Sequence, residues 1–76
     1  MPFFLDYEAE GLVRGHVRIP RVTCEEAALY AREALRGLRC LRATVRCGAT
    51  LRSAAADCRV IARYTRQGGW TILNGW

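Results

Sequence analysis

The chain contains no lysine, although twelve of its 76 residues are basic; all twelve are arginine. It has one histidine, two prolines and no CxxC pair. It also lacks a P-loop, a GxGxxG run and an HExxH run, the usual sequence markers of phosphate-cradling loops, dinucleotide folds and zinc peptidases. No stretch is long and apolar enough to span a bilayer, so no membrane association is expected. The start, Met1-Pro2-Phe3-Phe4-Leu5-Asp6-Tyr7-Glu8, has no basic n-region and meets an acid after five residues. It is not expected to be a signal peptide.

What is present is charge of one sign in a regular place. Twelve arginines against seven acids leave a formal charge of +5, which favours an anionic partner without choosing between nucleic acid and an acidic protein surface. A GC-rich coding sequence would favour arginine codons over lysine codons, but it would not explain where the arginines fall. Arg14, Arg18, Arg42, Arg46, Arg59 and Arg63 all lie on the polar phase of segments that alternate like β-strands. If those strands share a sheet, one face becomes a guanidinium lattice with His16 and Thr44 between its members. Guanidinium pairs with carboxylate or phosphate through a planar fork, which an ammonium cannot do.

Four cysteines, Cys24, Cys40, Cys47 and Cys58, stand 16, 7 and 11 residues apart. These spacings match no familiar zinc module, so no metal is expected. We read the cysteines as small, reduced, mostly buried side chains.

The length suits one domain, residues 1–76, near the lower limit for a core without staples. Phe3, Leu5 and Tyr7 alternate with Phe4, Asp6 and Glu8, which predicts a strand with one apolar face. A turn at Ala9-Glu10-Gly11 leads to a second strand, with Val13, Gly15, Val17 and Ile19 on one side and Arg14, His16 and Arg18 on the other. Thr23-Cys24-Glu25-Glu26 is a capping box opening a helix to about Arg39, with an alanine-rich stripe of Ala27, Ala28, Ala31, Ala34, Leu35 and Leu38. Arg32, Arg36 and Arg39 form a separate stripe and a second candidate binding patch.

A third strand carries Leu41, Ala43, Val45 and Cys47 against Arg42, Thr44 and Arg46. Residues 48–57 read equally as a loop, a short helical turn at Leu51 to Ala56, or an extension of the hairpin. Cys58, Val60, Ala62 and Tyr64 then alternate with Arg59, Ile61 and Arg63, and after Arg66-Gln67-Gly68-Gly69 a last strand runs from Trp70 to Leu73.

The order is β-β-α-β-β-β, which predicts an α+β fold: a mostly antiparallel five-stranded sheet with the helix on one face. The covered face is expected to take Leu5, Tyr7, Val13, Val17, Ile19, Leu41, Val45, Val60, Trp70 and Ile72. The other face carries the six strand arginines with Phe4 and Ile61. A solvated face whose charge discourages aggregation is the plain reading of that pattern.

A catalytic reading has little support. His16 is the only imidazole available to activate a nucleophile, and no recognisable general acid–base pair is present. No enzyme activity and no cofactor are expected. Binding through the arginines is the positive reading, since interfaces enrich arginine and aromatics and deplete lysine. The alternative is a basic nucleic-acid-binding module using the same residues, although neither a KH-type clamp nor a helix-turn-helix pattern appears. Trp76, at the chain end, is expected to pack on its own domain. An exposed edge strand near Trp70 leaves both monomer and homodimer open.

The layout resembles that of small phage anti-CRISPR proteins acting on type I effector complexes. The counterparts are the capped, alanine-containing helix from Thr23 to Arg39, the strand Leu41 to Cys47, and the closing hairpin Val60-Ile61-Ala62-Arg63-Tyr64 with Gly68-Gly69-Trp70. The resemblance is one of topology. It implies a small non-catalytic inhibitor in the cytoplasm of a bacterial host cell, bound to a nucleoprotein effector and touching protein subunits or nucleic acid.

Overall fold

A computed structural model of the chain describes residues 2–48 and 59–73. The alternatives for residues 49–57, and the placements of Cys58 and Trp76, lie outside the described residues. The elements are β1 (Phe3–Ala9), β2 (Val13–Ile19), α1 (Cys24–Ala34), β3 (Cys40–Cys47), β4 (Arg59–Thr65) and β5 (Gly69–Ile72). They form one five-stranded sheet in the order β2-β1-β3-β4-β5, every neighbouring pair antiparallel. The α+β architecture with the order β-β-α-β-β-β is as expected.

The first hairpin forms because β1 and β2 both alternate and the turn between them tolerates positive φ. Gly11 has φ 82° and Leu12 has φ 63°; the turn lies one residue later than the sequence predicts. Helix α1 begins where the capping residue places it. The Thr23 hydroxyl accepts from the Glu26 N–H at 3.2 Å, satisfying a backbone donor that has no partner inside the helix. The helix stops at Ala34 rather than near Arg39. Leu35 caps it, and Gly37 beyond takes φ 83°, a left-handed conformation that ends helices.

Ala27, Ala31 and Leu35 of the helix region pack on Phe3, Leu5, Ile19, Cys40, Ala43, Val45, Ile61 and Ala62 of the sheet. Small alanines let the helix lie across β1, β2, β3 and β4. Leu5, Ile19, Val45 and Ile61 are the largest fully buried side chains, each worth roughly 1.5–3 kcal/mol of burial. Ala34 and Leu38, expected on this stripe, are exposed: Ala34 is the last helical residue, and Leu38 lies beyond the helix end.

Two register shifts rearrange the expected core. The first lies between Glu8 and Ala9, where Ala9 pairs with Cys40 and Glu8 with Arg42. Leu41 falls in the shift and is exposed, while Cys40 takes the buried place. The second lies between Val45 and Arg46, which pair with Ala62 and Val60. Ile61 is the extra residue of this bulge. It is wholly buried in the helix-side core, not on the open face, and Val60 moves to the Arg46 side. A bulge places two residues opposite one and so reverses the alternation beyond it. Val13, Val17 and Ile72 have the expected phase, but they sit on the outer strands and stay half-exposed. Trp70 packs on Tyr64 with ring centroids 5.4 Å apart.

Candidate functional site

The face opposite the helix is made of three cross-strand rows, because paired residues in a ladder project to the same side. The first row is Arg18, Phe4, Arg46 and Val60, running from β2 through β1 and β3 to β4. The second is His16, Asp6, Thr44, Arg63 and Thr71, and ends on β5. The third is Arg14, Glu8, Arg42, Thr65 and Gly69. Five of the six expected strand arginines therefore share this face. Arg59 does not. It pairs with Cys47 beyond the bulge and leaves the sheet on the Cys47 side, although it is exposed there.

The lattice is not purely cationic. β1 runs between β2 and β3 and carries Asp6 and Glu8 into the middle of it. The Arg42 Nε donates to Glu8 Oε2 at 2.9 Å, with a second nitrogen at 2.8 Å from the same oxygen, and Arg14 lies 3.9 Å from the other carboxylate oxygen. The Arg46 Nε donates to Asp6 Oδ2 at 2.7 Å, and His16 Nδ1 lies 2.8 Å from Asp6 Oδ1. An ionised carboxylate only accepts, so Nδ1 carries the proton in that contact. His16 thus has a carboxylate orienter that the sequence did not reveal. Five guanidiniums against two carboxylates leave the face three charges positive, counting His16 as neutral.

Asp6 titrates below its ordinary value. Burial alone would raise it, but hydrogen bonds from Arg46 and His16, with their charge, outweigh that and favour the ionised carboxylate. Arg46 is only 9% exposed, and its guanidinium sits 5.0 Å from the centroid of the Phe4 ring. Phe4 itself is 4% exposed. Both belong to the folded framework at that end of the face, and neither offers contact area to a partner. Arg18 and Arg63 are exposed and make no side-chain hydrogen bond or ion pair among the described residues. Around Glu8 and His16 the face opens into a shallow cleft of about 250 Å³ lined by Asp6, Glu8, Arg14, His16, Arg42 and Thr44.

The second candidate patch is divided. Arg32 lies on the helix, whereas Arg36 and Arg39 lie beyond its end. Arg36 pairs with Glu33 at 3.0 Å, and Arg39 with Glu10 at 3.5 Å. Arg32 and Arg36 border a cleft of about 280 Å³ with Leu35, Leu38, Tyr64 and Trp70. Glu10 also receives Arg66 at 2.7 Å, so Arg39 belongs to a separate cluster with that acid.

Cys24 and Cys40 are free thiols. Burial pushes the Cys40 thiol up despite its contacts with the Glu8 and Arg42 carbonyls, which suits a packing role and not a nucleophile. No group of three or more His, Cys, Asp or Glu suited to a metal ion occurs among the described residues. No helix among them is long and apolar enough to cross a membrane. The chain matches no protein-family model, no curated protein and no solved structure.

Asp6 and Glu8 are the site residues that sequence reasoning missed. Their signal was visible: they alternate with Leu5 and Tyr7 and so share the polar phase of β1. What that phase faces depends on β1 lying between β2 and β3, and strand order is not written in any local pattern.

Proposed function

We propose that the chain is a non-catalytic binding protein that uses the open sheet face to hold an acidic surface of a macromolecular partner. The observation that carries this reading is the excess of guanidinium over carboxylate on the sheet face opposite α1, with Arg18 and Arg63 making no ion pair among the described residues. A partner carboxylate that meets them gains charge-assisted, bidentate hydrogen bonds without breaking an internal pair. The anti-CRISPR resemblance supplies a specific partner, a type I effector complex in the bacterial cytoplasm. What supports it is the common order of one hairpin, one capped helix and three further strands.

Between an acidic protein surface and nucleic acid, the geometry favours protein. Single strands are gripped by stacking bases on exposed aromatic rings. Phe4, the one aromatic on this face among the described residues, is buried and so offers no ring for stacking.

The test is binding of the purified chain to a type I effector complex, to DNA and to RNA, beside the variant Arg18→Glu/Arg63→Glu. Arg46 is unsuited to this test because reversing a buried charge disturbs the fold. Binding to the effector that the double reversal abolishes is the expected result. Capture that the double reversal leaves unchanged would remove the face from the mechanism. Tight binding to DNA or RNA alone, falling by about one log-slope unit per phosphate neutralised as salt rises, would replace the protein partner with nucleic acid.

A further inference from the structure

β2 is an outer strand of the sheet, seven residues long, with no neighbour on its far side among the described residues. Such a strand presents unpaired backbone N–H and C=O groups to any extended chain of suitable pattern. Its two side-chain rows are unusually definite. On the helix side, Val13 and Val17 remain 50% and 40% exposed, with Gly15 between them under the Tyr7 ring. On the open side stand Arg14, His16 and Arg18, all exposed. Arg18 has no ion pair among the described residues, and Arg14 has only the 3.9 Å contact to Glu8.

We propose that the β2 edge is a docking strand for an extended acidic segment of a partner protein, in which acidic and apolar residues alternate. This inference rests on the acidic-partner reading above and specifies how that partner is held. Charge complementarity selects the occupant. A second copy of β2 in antiparallel register about His16 would place Arg14 opposite Arg18 twice, with the two His16 rings opposite each other. Like charges directly opposite are destabilising, so the strand is guarded against its own kind.

β1 shows what β2 accepts on its inner side: Leu5 opposite Val17, Asp6 opposite His16 and Glu8 opposite Arg14. An incoming strand of the same alternation repeats that arrangement on the outer side. Its apolar residues cover Val13 and Val17, and its carboxylates meet Arg14 and Arg18. The other outer strand, β5, has four residues and carries no charged side chain, so it offers neither the length nor the charge.

The experiment uses the full chain and a fluorescein-labelled heptapeptide of alternating valine and glutamate, read by fluorescence anisotropy. Two controls accompany it: a scrambled peptide of the same composition, and the parent peptide N-methylated on alternate amides in each of the two phases. Binding of the alternating peptide is expected to be at least about tenfold tighter than that of the scrambled one, a margin of about 1.4 kcal/mol. One methylated phase is expected to abolish it, because only alternate amides face the β2 edge. Arg14→Glu/Arg18→Glu is expected to weaken it by a similar factor, whereas Arg63→Glu, three strands away, leaves it within about twofold.

Equal binding of all the peptides overturns the inference, as does no binding of any, or a loss with Arg63→Glu as large as with the β2 reversal. Should Arg63→Glu and not the methylated amides abolish binding, the open face holds acidic ligands and the edge does not. The edge proposal then falls while the broader reading stands.

Discussion

Replacing Asp6 by Asn isolates the one ion pair on the arginine face that is more than surface decoration. The carboxylate receives the Arg46 Nε at 2.7 Å and His16 Nδ1 at 2.8 Å. Asn preserves the shape and removes the charge. Stranding a fully buried charge costs about 3–5 kcal/mol. The Asp6 side chain is 27% exposed, and Arg46 retains the Phe4 ring, so about 2 kcal/mol is the expected loss after allowing for solvent. Glu8→Gln, by contrast, releases arginines that are mostly in water and should cost less than about 1 kcal/mol.

A domain of this size has a total stability of roughly 4–11 kcal/mol. The Asp6 change is therefore expected to lower the melting temperature by about 8–16 °C. The assay is thermal and urea unfolding by circular dichroism at several pH values. The native carboxyl of Asp6 titrates below its unfolded value. Its contribution is therefore complete above about pH 4 and is lost as pH falls through the native value. Asn does not titrate, so the gap between the parent and the variant should close on acidification. A gap that stays constant from about pH 7 to about pH 2, or a Glu8→Gln loss as large as the Asp6→Asn loss, would refute the assignment.

Three further outcomes are expected. Gly15→Ala should cost about 1–3 kcal/mol, because a Cβ there collides with the Tyr7 ring; the companion variant Gly15→Ala/Tyr7→Leu, followed by thermal melting, should recover part of the loss. Leu12→Asn should stabilise the chain by about 0.5–1 kcal/mol in urea unfolding, since Leu12 holds φ 63° while 86% exposed, and Asn tolerates that conformation better. Thr23→Ala should remove about 1 kcal/mol through the lost helix cap, and Thr23→Ser should retain most of it in the same measurement.

The bulge explains the main difference between the expected and observed guanidinium face. Strict alternation places Arg59 with Arg63, and Ile61 with them. Val60-Ile61-Ala62 is three apolar residues in succession, which no strand with one wet face can place on a single side. The run was the legible sign that the phase breaks there, and Ile61 enters the core because burying it gains more than keeping the alternation. Cys40-Leu41 marks the other shift in the same way. The pairing of Asp6 with both Arg46 and His16 had no such sign. It joins residues forty and ten positions apart in the chain and arises only once β3 is laid beside β1.

Local pattern alone thus determined the element types and their order, the helix start at Thr23 and the cationic phase of β2 and β3. These properties depend on the period of side chains along a single segment and on hydrogen bonds spanning three or four residues. Tertiary structure alone decided which charges meet. Strand order put two carboxylates among the arginines, a bulge sent Arg59 to the opposite side, and burial made Arg46 part of the framework. Those outcomes turn on distances between segments far apart in the chain, to which no periodicity within one segment is sensitive.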